Sequence, residues 1–161
     1  MTSRKIDGYT YSFGINAYIC GRNVPEEAPN IKRFIIMDEN LRKQLSEDTT
    51  GLATYEYIAN NIDTIDELLP ELVEIIVNVD TNGQFVVSTA RYLHAINPEQ
   101  YAASIDVLVK AAIDKDREHK YLGDLVASLY GPDYKEHAVE LSAEDDNFRR
   151  IYKRLYPATA I

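Results

Sequence analysis

The chain contains no tryptophan and a single cysteine, Cys20. One cysteine excludes an internal disulfide, so the fold must be held by packing alone. Neither a positively charged leader nor an apolar leader core heads the sequence, and a cytoplasmic location is expected. No apolar run exceeds a few residues, far short of a membrane span. Phosphate-binding loops of the G-x-x-x-x-G-K-[ST] and G-x-G-x-x-G kinds are missing, as are H-E-x-x-H and G-x-S-x-G. No cofactor is expected.

The most telling absence is one of charge. No Lys or Arg occurs between Lys43 and Arg91, while nine acids lie in that gap: Glu47, Asp48, Glu56, Asp63, Asp66, Glu67, Glu71, Glu74 and Asp80. They account for the whole net charge of −9. Such a balance disfavours a general affinity for nucleic-acid backbone. It suits either solubility or an acidic surface that meets a basic partner.

What the chain does have is an ordinary globular balance, with 45% hydrophobic and 27% charged residues over 161 positions. That suits a single domain over 1–161 with a sizeable core. Residues 1–8 read as a loose start. From Tyr9 to Cys20 apolar and small or polar residues alternate, which predicts a half-buried strand. Gly21–Asn30 reads as a loop. Ile31–Asp38 fits a second strand or a helix start, and Asp38 is a candidate N-cap.

Beyond Gly51 the period becomes helical. Leu52, Tyr55, Ile58, Ala59 and Ile62 share one face, and Asp63 is placed to cap a helix running from Ile65 to Val79. Pro70 should kink that helix or restart it. The stretch Val73–Thr89 admits a β-hairpin, a calcium loop or a turn between helices. Its flanks keep helical phase, which favours helix–turn–helix around Asp80-Thr81-Asn82-Gly83. As a calcium loop it offers Asn78, Asp80, Asn82 and Gly83 in register, but Thr89 stands where a bidentate acid belongs. Further helices follow Asn97-Pro98, span Leu122–Leu129 up to Gly131-Pro132, include a short one near Tyr134–Leu141, and begin again at Ser142. The helix pairs are loosely solenoid-like, without an exact repeat.

Three histidines are available. Asp116 precedes His119 by three residues and Asp133 precedes His137 by four, spacings that would share a helix face. The di-metal bundle pattern they resemble needs inward glutamates that these stretches lack. The basic, aromatic NFRRIYKRLYP segment has Phe148, Ile151, Tyr152 and Leu155 in apolar phase, which favours a dipole-complementing helix over a nucleic-acid site. Among twelve tyrosines, Tyr57 falls opposite the stripe of its helix, inside the acidic gap.

The expected architecture is therefore mainly α (α+β), an N-terminal strand or two-strand ribbon on a bundle of about six helices, with 9–37 strand-containing and 38–157 helical. The expected role is a small binding or regulatory protein, inhibitor-like, that docks a basic protein surface through Glu56, Tyr57, Asp63, Asp66, Glu67, Glu71 and Glu74. The alternatives are a metal-dependent enzyme using His119 and His137 with nearby acids, or a structural subunit of a homo-oligomer. No membrane association is expected.

Overall fold

Residues 37–158 are described by a computed structural model of the chain. The expected N-terminal strand, Cys20 and the loop after it lie outside these residues, as does residue range 1–36 of the single-domain reading. Within them the protein is helical throughout, with eight helices and no strand. They are α1 (Glu39–Glu47), α2 (Leu52–Asn60), α3 (Leu69–Val79), α4 (Gln84–Ile96), α5 (Ala102–Lys115), α6 (Leu122–Tyr130), α7 (Ala138–Glu144) and α8 (Asp146–Leu155). Eight helices stand among the described residues where a bundle of about six was expected. None is long and apolar enough to cross a membrane.

Local chemistry sets the boundaries. Asp38 Oδ1 accepts the Asn40 and Leu41 N–H groups at 3.0 and 3.1 Å, starting α1 as its sequence position suggested. Pro70 lies in the first turn of α3, where its missing N–H costs nothing, so the helix restarts there instead of kinking. Asp63 caps no helix: residues 61–68 form a chain of turns, and α3 begins six residues later without a side-chain cap. Ser142 does not open the last helix. It is buried within α7, and Asp145 caps α8 by accepting the Asn147 and Phe148 N–H groups. An aspartate with two strong acceptor oxygens outcompetes the hydroxyl three residues upstream.

The helices stack in two layers. In one, α1 packs on α3 and α3 on α5; in the other, α2 packs on α4, α4 on α6 and α6 on α8. Between layers, α2 pairs with α3 and α4 with α5. The most embedded helix is α4, which touches α2, α3, α5 and α6. Its buried residues Val86, Val87, Thr89, Ala90 and Leu93 accordingly cover a wide arc rather than a narrow stripe. The β-branched run that looked strand-like is thus a helix face pressed against neighbours on several sides, where packing overrides propensity. At the end of the stack the apolar face of α8 inserts Phe148 and Ile151, both fully buried. Phe148 meets the rings of Tyr130, Tyr134 and Tyr152 at centroid distances of 4.9, 6.2 and 5.6 Å.

This layering gives the stack two ends. The turns at 48–51, 80–83 and 116–121 adjoin at one: a methyl group on Gly51 would lie 3.1 Å from Asp80 Cβ, and one on Gly83 would lie 3.3 Å from the Asp116 nitrogen. The connections 61–68 and 97–101 meet at the other, where Gln100 Nε2 donates to Asp66 at 3.0 Å.

Candidate functional site

Asp80 lies wholly inside the first of these ends. Its Oδ1 accepts the Asn82 and Gly83 N–H groups, and its Oδ2 accepts those of Phe85 and Val86, all between 2.8 and 3.0 Å. Gly83 supplies the left-handed backbone, φ 82°, that bends the chain into α4. The loop that resembled a calcium site therefore spends its carboxylate on four amides of its own turn. Thr89 is buried and returns its hydroxyl to the Phe85 carbonyl at 2.7 Å.

The same device recurs. Asp48 accepts the Thr50 hydroxyl at 2.7 Å and the Thr50 and Ala53 N–H groups at 3.0 and 2.8 Å. Burial pushes its carboxyl up, but these bonds, with one from the Gly51 amide, outweigh that and hold it below the usual carboxylate range. Asp116 accepts the Lys120, Tyr121 and Leu122 N–H groups at 2.7 to 2.9 Å. The signal was present in the sequence: Asp48-Thr-Thr-Gly51 and Asp80-Thr-Asn-Gly83 repeat Asp-Thr-x-Gly 32 residues apart. It escapes a search for extended similarity because only the turn repeats.

Five of the nine acids of the charge gap lie in or next to the opposite end. Asp63, Asp66 and Glu67 lie in the 61–68 connection, Glu71 in the first turn of α3, and Glu74 one turn further along it. Glu99, outside the charge gap in sequence, adjoins them from the 97–101 connection and is exposed. Two of the group are engaged. Asp66 accepts from Gln100 at 3.0 Å and Tyr101 at 3.3 Å, and Glu71 pairs with Arg42 of α1. The Tyr101 hydroxyl is held above its usual range, first by burial and then by the Asp66 charge. Glu56, Asp63, Glu67 and Glu74 are exposed and have no cation partner among the described residues. Tyr57 does not stand clear of the core. α2 packs on both α3 and α4, so its contact arc is broad enough to half-bury Tyr57. The same shift of phase buries Thr54 and leaves Leu52 41% exposed.

The histidines are not brought together. His119 lies in the 116–121 turn and His137 beyond the far end of α6, whose nine residues separate them by about 13 Å of helix rise. Asp116 faces backbone amides, not His119, because this segment is a turn and not a helix. His137 does lie 3.6 Å from Asp133 and 3.5 Å from Glu140, all exposed. In α8 the buried aromatics confirm the apolar phase, and its three arginines find acids: Arg149 pairs with Asp146, while Arg150 and Arg154 reach Asp114 at 3.5 and 4.0 Å.

No family model, no curated protein and no solved structure matches this chain.

Proposed function

We propose that the protein is a binding or regulatory module that docks a basic protein surface through the acidic end of its helical stack. The observation that supports this reading is the set of exposed carboxylates at Glu56, Asp63, Glu67 and Glu74, unpaired among the described residues and continued by Glu99. Clustered charge of one sign steers a complementary partner and selects it by charge. Asp66 and Glu71, held by Gln100 and Arg42, brace the surface, and Tyr57 offers the part of its ring that α2 leaves uncovered.

The test is capture from extracts of the native cell at two salt concentrations, with the full chain as bait. A basic protein should be retained at low salt and released at high salt. The Glu67→Lys/Glu74→Lys variant should lose it by tenfold or more, whereas Lys153→Glu on α8 should not. These two glutamates are chosen because reversing Glu71 would also break its pairing with Arg42. Capture that ignores both salt and the reversal would overturn the reading.

A further inference from the structure

The three aspartate turns differ in one respect. The first two run Asp-Thr-x-Gly and place glycine at φ 86° and 82°. The third runs Asp116-Arg-Glu-His-Lys-Tyr-Leu122, two residues longer between the aspartate and its helix, and places His119 at φ 57°. His119 is the only non-glycine residue with positive φ among the described residues. A left-handed histidine where glycine serves elsewhere is a conformation that the surroundings must enforce. Asp116 enforces it by gripping the next three amides. The inserted residues carry basic charge in a chain whose net charge is −9.

A cavity of about 340 Å³ lies between this segment and the 80–83 turn. Lys115, Arg117 and Lys120 line one side, and none has a carboxylate within ion-pair distance among the described residues. Lys115 Nζ donates once, to the Asp80 carbonyl at 2.7 Å, and keeps two N–H groups. Across the cavity stand Thr81 and Asn82. Asn82 uses its carbonyl oxygen to accept the Gln84 N–H at 2.9 Å, which leaves its two amide donors. The nearby Asp116 carboxylate, 2% exposed, is consumed by backbone amides. Glu118 is the single opposing acid.

We infer that this cavity binds a phosphate group. Its lining is rich in donors and poor in free acceptors. An arginine and two lysines around a hydroxyl and a carboxamide match a tetrahedral oxyanion. The site is at the end of the stack remote from the acidic docking surface and is independent of it.

The experiment is a titration of the ¹⁵N-labelled full chain with inorganic phosphate, against chloride at matched ionic strength. Amides of Thr81, Asn82 and residues 117–121 should shift saturably with phosphate and not with chloride. Arg117→Gln/Lys120→Gln should weaken binding at least tenfold, and Glu118→Gln should tighten it two- to fivefold by removing repulsion. Thr81→Val provides a second, neutral loss should the double variant fold poorly. Adenosine monophosphate and a phosphoserine peptide, each compared with inorganic phosphate, distinguish a free phosphomonoester from a modified protein as the source. Shifts that do not saturate, that chloride reproduces, or that survive both Arg117→Gln/Lys120→Gln and Thr81→Val would overturn the assignment.

Discussion

At the scale of single residues, the aspartates at helix starts do most to shape this fold, and they are not equivalent. Asp38 accepts both of its amide bonds through Oδ1. Asp80 uses both oxygens, two N–H groups on each, with no exposure to water. Asparagine retains one acceptor oxygen but presents NH₂ in place of the other. Asp38→Asn should therefore change stability by less than about 0.5 kcal/mol. Asp80→Asn sets donors against the Phe85 and Val86 amides and should cost about 2–4 kcal/mol, as should Asp80→Ala. Urea unfolding of the three variants checks this; equal losses at positions 38 and 80 would contradict the geometry. The role of Asp38 was legible because a helix cap is local. The inward turn of Asp80 was not, because the calcium reading and the capping reading place the same residues in the same order.

At the scale of elements, helical periodicity located the main helices and favoured for Val73–Thr89 the helix–turn–helix that α3 and α4 form. It erred on α2. The stripe drawn through Leu52 and Tyr55 assumed one contact face for α2, whereas α3 and α4 press on it from two directions and draw in Thr54 and Tyr57. The acids of 61–68 were found from charge alone, but the partners of Asp66 and Glu71 come from α1 and the 97–101 connection, which linear sequence cannot align with them. α8 also touches more than one helix, α5, α6 and α7, yet its buried residues Phe148, Ile151 and Tyr152 share one narrow face, and sequence phase picked them correctly. Phe148 is the anchor of that face, fully buried among three tyrosine rings. Phe148→Ala should cost about 3–5 kcal/mol through lost burial and an unfilled cavity. Val139, 73% exposed on α7, should tolerate Val139→Ser within about 0.5 kcal/mol. Thermal or urea unfolding separates them, and similar losses would mean that α8 does not dock as described.

At the scale of the whole molecule, acidity is both the basis of the docking proposal and a condition for stability. Asp106 is held below the usual carboxylate range, chiefly by the hydrogen bond from Lys110 at 2.7 Å, with burial opposing and Asn147 of the α8 start assisting at 2.9 Å. Asp48 is lowered by the bonds of its own turn. A carboxyl whose folded value lies below its unfolded one stabilises the fold in full above the unfolded value, about 3.9 for aspartate. That contribution disappears as pH falls through the folded value, because the unfolded chain then binds more protons. The stabilising effect of Asp48 and Asp106 should thus be constant from pH 7 to about 5 and vanish below about 4. Asp48→Asn/Asp106→Asn replaces both charges with amides that cannot titrate. The variant should be weaker than the parent at pH 7, and the gap in urea midpoint should close as pH falls below about 4. A gap of constant size down to pH 3 would mean that these carboxylates stabilise the stack by shape alone and not by charge.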